Sequence, residues 1–295
     1  MSRVYSKVLV LSLLGTGLFA SHVNAASRTN STRELMKVAI ETSILHDREV
    51  DPNHVISLCR SIDTAMTDEA LCDLAGTADH HVREYIARLD NTSQKVFDRL
   101  VTTNDEDLKY WVAVNPSVSL STLSSLAKDS NPDVRRGVAE NSSCPLDVLT
   151  VLSTDSDHQV RKGVVRNWAV PVAMLTKLAQ DKDPYVRNEV AQAHNVTPEV
   201  LAILAHDQFL ETKQEVAHNP KTTAETLTLL FKDRSAGSLT RTWIAEHKNT
   251  PISILEQIAK FPDDGGDNYD RRHAQYRLEK MKNKQGAPEA SDVTH

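Results

Sequence analysis

Residues 131–156 read NPDVRRGVAENSSCPLDVLTVLSTDS, and the next 26 residues, 157–182, read DHQVRKGVVRNWAVPVAMLTKLAQDK. The two stretches align without a gap, since each contains a basic residue, a valine three positions later, an asparagine and a Leu-x-x-Leu pattern in the same register. A period of this length is typical of repeat proteins, in which each unit buries its apolar side against its neighbours.

The same register extends over most of the chain. A basic column consists of Arg83, Lys109, Arg135, Arg161, Arg187, Lys213 and, after a two-residue insertion near Ser235 to Ser238, Arg241. Three apolar columns accompany it: Ile86, Val112, Val138, Val164, Val190, Val216, Ile244; Phe97, Leu123, Leu149, Leu175, Leu201, Leu227, Leu255; and Leu100, Leu126, Leu152, Leu178, Leu204, Leu230, Ile258. An eighth unit upstream contributes Ile56, Leu71, Leu74 and Ala75. Chance does not produce seven copies in register.

Each repeat is predicted to form two short helices. Val160 and Val164 lie four residues apart on one face of the first helix, and we expect Asn167 to end that helix in a left-handed conformation. Leu175 and Leu178 give the second helix its buried stripe, and Asp183 can cap the helix that opens the next repeat. The sequence therefore predicts an all-α solenoid of about eight two-helix repeats with capping helices.

The ends of the chain differ from the repeats in composition. Residues 1–25 combine a basic start, an apolar run and small residues at Val23 and Ala25, which predicts a cleaved signal peptide and export, to the periplasm or outside the cell, without stable membrane insertion after cleavage. We assign residues 26–55 to an N-terminal cap and 56–262 to the repeat array. A loop and a C-terminal capping helix follow at 263–282, and a polar, disordered tail at 283–295.

The pattern Val-Arg, Val-Ala, Asn, Pro, Leu and Leu-Ala resembles the variant leucine-rich repeats, which are related to HEAT-like helical repeats. The likeness covers about residues 56–262. It implies a right-handed superhelix and, loosely, a binding role, without implying a substrate. Some members of that family carry an iron–sulfur cluster, but the three cysteines of this chain are not clustered, so the sequence predicts no cofactor.

Two recurring features are interpreted as structural. We expect the basic column to pair with acids that close the preceding repeat, such as Asp129 and Asp133 near Arg135, or Asp181 and Asp183 near Arg187. Cys144 falls in a column of small residues and is predicted to be a buried, free thiol.

Cys59 and Cys72 lie on the two helices of the first repeat, and export would permit a disulfide between them; two buried thiols are the alternative.

Recognition is expected where the repeat allows variation, at the two positions after the basic column. These positions pass from aromatic to basic to acidic along the chain, and tryptophan, tyrosine and arginine dominate binding hot spots. The alternative is that the aromatic side chains pack between helices and that Gly137 and Gly163 relieve crowding. The predicted partner-binding residues are Tyr85, Tyr110, Trp111, Arg136, Lys162 and Trp243.

Several functions are disfavoured by the sequence. The net charge is −6, or −8 once residues 1–25, with two basic and no acidic residues, are removed, which disfavours nucleic acid as a partner. No catalytic motif and no metal-ligand cluster is evident. We therefore predict an exported, non-enzymatic scaffold that binds another protein through the variable face of its first helices. One alternative is an inhibitor or immunity-type partner of a single toxin or enzyme. The other is a HEAT-like lyase or small-ligand-binding protein.

Overall fold

The computed structural model describes Arg33 and residues 64–78, 80–89, 92–103, 105–261 and 268–285. Every regular element in these ranges is a helix. The chain divides into two compact units, Met1–Leu152 and Ser153–His295, each of which is a stack of short helices. The prediction of an all-α solenoid is confirmed.

Unit 1 contains seven described helices, which alternate between first and second helices of successive repeats. They are α1 (Thr64–Thr77), α2 (His80–Arg88), α3 (Gln94–Val101), α4 (Glu106–Val114), α5 (Leu120–Leu126), α6 (Pro132–Glu140) and α7 (Leu146–Leu152). First helices pack on first helices of the next repeat, α2 against α4 and α4 against α6.

Unit 2 continues the alternation and ends on a longer helix. Its described helices are α8 (His158–Arg166), α9 (Val172–Leu178), α10 (Pro184–Gln192), α11 (Pro198–Leu204), α12 (Leu210–His218), α13 (Ala224–Lys232), α14 (Gly237–Glu246), α15 (Ile252–Ala259) and α16 (Tyr269–Gln285). The predicted insertion forms a 3₁₀ turn at Arg234–Ala236, followed by Gly237 with φ of 76°, a conformation that favours glycine.

The three apolar columns form the core of both units. Every member of the columns that begin at Ile86 and Phe97 is fully buried, and the column that begins at Leu100 is at most 5% exposed. Leu71, Leu74 and Ala75 of the predicted eighth repeat are fully buried as well. Helices of seven to nine residues are too short to be stable alone, so this burial between repeats is what holds them in place.

First helices begin at polar caps. The carboxylate of Asp183 accepts a hydrogen bond from the Tyr185 backbone N–H at 2.9 Å, and Pro184 occupies the first turn, as predicted. Asp157 caps α8 in the same way. These caps satisfy backbone donors that the helix itself leaves free.

The asparagine column ends the first helices by a different route from the one predicted. Asn115, Asn141 and Asn167 have φ near −70° and ψ near 125°, so the expected left-handed conformation is wrong. The side chain of Asn141 instead donates to the carbonyl oxygens of Ala113 (2.6 Å) and Asn115 (2.9 Å), and its own oxygen accepts from the Ser143 N–H (2.7 Å). Asn141 therefore joins the turn of its own repeat to the end of the preceding one, as do Asn115 and Asn219.

Arg277 on α16 takes over this role at the end of unit 2. One of its terminal nitrogens donates to the carbonyl oxygens of Ala245 (2.7 Å) and His247 (2.8 Å), where an asparagine would stand in another repeat. Burial lowers the pKa of Arg277. The C-terminal cap is thus attached by the same backbone contacts that join the repeats.

Replacing Asn141 with Ala should lower the free energy of unfolding by about 2 kcal/mol, because two buried carbonyl groups and one N–H lose their partner. Urea denaturation followed by circular dichroism would measure the loss. The exposed neighbour Ser142 supplies the control, since Ser142→Ala should change stability by less than about 0.5 kcal/mol. Equal stability of the two variants would mean that the hydrogen bonds of the Asn141 side chain do not stabilise the contact between the two repeats.

The basic column is structural, but its partners differ from those predicted. Four cations of the column pair with the aspartate 20 residues later: Lys109 with Asp129 (2.9 Å), Arg161 with Asp181 (2.7 Å), Arg187 with Asp207 (2.6 Å) and Lys213 with Asp233 (2.6 Å). Arg241, which follows the insertion, pairs with Asp270 on the capping helix (2.9 Å). The preceding repeat contributes backbone oxygens, such as those of Asp129 to Arg135 and of Asp181 to Arg187. Of the predicted acids, Asp129 and Asp181 therefore contact these cations through their backbone carbonyl groups.

Several sequence assignments lie outside the described residues. They are the signal peptide at 1–25, the N-terminal cap at 26–55 apart from Arg33, the start of the repeat array at 56–63 with Ile56 and Cys59, positions 263–267 of the predicted loop, and positions 286–295 of the tail. The C-terminal capping helix is present and extends to Gln285, three residues into the stretch predicted to be disordered.

Candidate functional site

The variable positions lie on the outer face of the first helices, which we define as the positions one, two and five residues after the basic column. On this face, the fifth position of one repeat contacts the second position of the next. The pairs are Arg88 with Trp111 (4.5 Å), Arg166 with Glu189 (2.7 Å) and His218 with Trp243 (4.3 Å). Variable side chains therefore form contiguous clusters rather than isolated points.

The cluster in unit 1 combines aromatic rings with guanidinium groups. The rings of Tyr110 and Trp111 meet edge to face at 5.2 Å, Arg88 lies over the Trp111 ring, and Arg136 lies 5.2 Å from the Tyr110 centroid. Tyr85 occupies the position of Trp111 one repeat earlier, on α2, and is partly exposed. Three of the predicted residues, Tyr110, Trp111 and Arg136, are thus brought together.

Hydrogen bonding in the unit 1 cluster is incomplete. Arg136 donates to Asp133 at 2.9 Å, whereas its buried Nε has no partner. Burial raises the pKa of Tyr110, and the charge and hydrogen bond of Glu140 add to the shift, so this hydroxyl is a neutral donor at physiological pH.

Gly137 explains how the rings fit between α4 and α6. A Cβ atom at Gly137 would lie 3.0 Å from Tyr110 Cδ2, 3.1 Å from Ala113 Cβ and 3.2 Å from the Tyr110 carbonyl oxygen. These approaches are too close for an ordinary side chain. Relief of crowding between repeats therefore accounts for this glycine.

Lys162, in unit 2, forms an ion pair with a residue of the following repeat. Its ammonium group lies 3.1 Å from Glu189, which Arg166 also binds. Burial alone would raise the pKa of Glu189, but hydrogen bonds from Arg166 and Lys162 outweigh it, and the pKa is lowered. This carboxylate is therefore ionised and neutralised, and Lys162 is less available to a partner than its sequence position suggested.

Trp243 lies beside a slot in unit 2. Its ring packs against His218, and the cavity next to it, about 250 Å³ in volume, is also lined by Ala217, Pro220, Glu246, His247 and Lys248. Burial lowers the pKa of His247, which keeps this imidazole neutral, and it bonds to the Asn219 carbonyl oxygen at 2.9 Å. The slot is large enough for one side chain of a partner.

Trp168 is a candidate that the sequence analysis missed. It is 74% exposed, and its ring stacks on that of His194 at 3.9 Å. Both residues follow the asparagine column position in consecutive turns, so they occupy equivalent places. A search of turn positions as well as helical ones would have found this tryptophan among less bulky residues at Pro116, Ser142, Pro220 and Lys248.

The cysteines give one confirmed and one untested prediction. Cys144 is buried and free, and burial raises the pKa of its thiol to about 12, which removes any role as a nucleophile. The sulfur of Cys72 lies 3.8 Å from the Lys95 carbonyl oxygen, while Cys59 lies outside the described residues. The Cys59–Cys72 disulfide therefore stays a prediction.

Among solved structures, the chain resembles one described as a leucine-rich repeat variant with a novel repetitive structural motif. The TM-score is 0.55 with 23% identity, over 78% of this chain and 88% of that one. The resemblance inferred from the sequence is confirmed at the level of the fold. An engineered protein (TM-score 0.36, 15% identity, 92% and 98% coverage) and a designed armadillo repeat protein (0.20, 15%, 88% and 95%) match more weakly. The sequence matches no protein-family model and no curated protein.

Within the described ranges, no three His, Cys, Asp or Glu side chains are grouped so that they could hold a metal ion. None of the helices described has the length and apolar character needed to cross a bilayer.

Proposed function

We propose that this repeat scaffold is an exported, non-enzymatic protein that binds another protein through the aromatic clusters of its first helices and their turns. The observation that carries the proposal is the exposure of Trp168, because a tryptophan that is three-quarters exposed has no packing role in its own repeat. Exposed tryptophan side chains are characteristic anchors of protein interfaces.

A second feature favours a protein partner over nucleic acid. The chain is acidic, with a net charge of −6, and the cations of its basic column are engaged by aspartates and carbonyl groups. A surface with mixed charges and rings suits a protein, whereas a phosphate backbone requires an excess of available cations. The export step is part of the proposal and rests on the sequence of residues 1–25.

Trp168→Ala should reduce capture of the partner from the native exported fraction by about tenfold or more, because truncating a hot-spot tryptophan costs roughly 2 kcal/mol. Immobilised full-length protein and quantitative mass spectrometry would measure capture. Helicity should be unchanged, since the side chain is mostly in solvent.

Tyr276→Ala is the matched control for this experiment. Tyr276 is also an exposed aromatic residue, 58% exposed, but it lies on the capping helix α16 outside the clusters. Its removal should leave capture intact. If Trp168→Ala and a Trp111→Ala, Arg136→Ala double variant both fold and capture the partner normally, the proposed surface is wrong. Attention would then move to the second helices, where Leu120 and Leu146 are exposed.

A further inference from the structure

The slot beside Trp243 has an internal counterpart that shows what this position accepts. In unit 1, Trp111 on α4 is covered by the guanidinium group of Arg88, whose central carbon lies 4.5 Å from the ring centroid. The equivalent positions on α14 and α12 hold Trp243 and His218. Histidine is shorter than arginine, and a slot of about 250 Å³ lies beside the indole.

The slot is lined by one carboxylate, Glu246, and one permanent cation, Lys248, and Arg277 donates to the carbonyl oxygens of His247 and Lys248 beside it. Glu246 lines it, and within the described part of the chain this carboxylate forms no ion pair. His247 is kept neutral by burial, so Lys248 is the one permanent cation in the lining.

We propose that this slot binds the guanidinium group of an arginine side chain presented by the partner protein. The planar group would pack against the part of the Trp243 ring that the shorter His218 leaves open and would donate to the carboxylate of Glu246. The inference rests on the proposed function, because it takes the partner to be a protein.

Other side chains fit the slot less well. An apolar anchor would cover the Glu246 carboxylate without giving it a hydrogen bond, which is unfavourable. An acidic side chain would be repelled by Glu246. Lysine carries the charge but lacks the planar group that stacks on an indole and offers paired donors to a carboxylate.

The test uses the full-length protein and small probes, so it does not need the partner. N-acetyl-arginine methylamide should bind saturably in ligand-observed NMR, and its neutral analogue N-acetyl-citrulline methylamide should bind about tenfold more weakly, the combined scale of an exposed cation–ring contact and an ion pair. Trp243→Leu and Glu246→Gln should each weaken arginine binding severalfold. Lys248→Ala should strengthen it, because a like charge is removed.

Tyr276→Ala again serves as the control and should bind the arginine probe as the wild type does. Equal binding of citrulline, tighter binding of N-acetyl-leucine methylamide, or no effect of Glu246→Gln would overturn the arginine assignment. If the probe fails while Trp168→Ala still abolishes partner capture, the assignment fails and the proposed function stands. If the probe binds but no surface variant affects capture, the slot is supported and the proposed function is contradicted.

Discussion

Val138→Asp is expected to unfold the repeats of unit 1. Val138 is fully buried on α6, at the centre of the apolar column that holds α4 and α6 together. A carboxylate there would lose its hydration without gaining a partner, and we expect a cost of about 5 kcal/mol or more. This is comparable with the whole stability of an ordinary domain, so circular dichroism should show a large loss of helicity.

Val151→Asp is the matched control, because it makes the same chemical change on α7 at a valine that is 67% exposed. It should alter the free energy of unfolding by no more than about 0.5 kcal/mol in urea titrations. A folded Val138→Asp protein with near-normal stability would mean that the apolar columns do not form the core.

The apolar columns could be predicted from the sequence because burial between identical units imposes the same residue type at every repeat. Val138 and Leu149 stand in columns that hold only valine or isoleucine, and only leucine or phenylalanine. Because the unit recurs seven times, each position can be compared across seven repeats. This comparison made the helices, the core and the insertion before Gly237 predictable.

The partners of the polar columns could not be predicted in the same way. Asn141 was correctly recognised as structural, but its side chain donates to backbone carbonyl groups. Arg187 donates to the Asp181 carbonyl oxygen as well as to the Asp207 carboxylate. Because every residue has a carbonyl group, the sequence does not indicate which one a side chain will bind. The left-handed ending assigned to Asn167 was a reasonable local choice, but its backbone is extended, and its side chain accepts from the Ala169 N–H instead.

The candidate site was predicted only in part because the outer face follows no repeated pattern. Tyr110, Trp111 and Arg136 do meet, since consecutive first helices place equivalent positions side by side. Lys162 has a neighbour, Glu189, that neutralises it, and such pairing depends on side-chain geometry that a column does not reveal. Trp168 was missed because it stands in a turn, where variation is usually tolerated without consequence.

Among the described ion pairs of the basic column, the one between Arg161 and Asp181 is the most buried, so removing one partner should cost the most stability. The side chains of Arg161 and Asp181 are only 4% and 8% exposed, and two nitrogens of the arginine donate to the two carboxylate oxygens at 2.7 Å each. Burial by itself would raise the pKa of Asp181, but the hydrogen bonds and charge of Arg161 outweigh it, and the pKa is lowered. The arginine also donates to the carbonyl oxygens of Asp155 and Ser156, which fixes its position.

Asp181→Asn should lower the free energy of unfolding at pH 7 by about 3–5 kcal/mol, because it leaves the buried guanidinium group of Arg161 without its counter-charge. Asp133→Asn is the control: its partner Arg136 is bound on the surface, Asp133 is 64% exposed, and the loss should be below about 1 kcal/mol.

The difference in the free energy of unfolding between wild type and Asp181→Asn should also depend on pH. Since the folded pKa of Asp181 lies below the unfolded value of 3.8, its contribution is complete above that pH and is lost as the pH falls through the folded pKa. Urea titrations between pH 7 and pH 2 should therefore show the two proteins converging in the acid range. A difference that stays constant with pH would mean that the ion pair is not what Asp181 contributes.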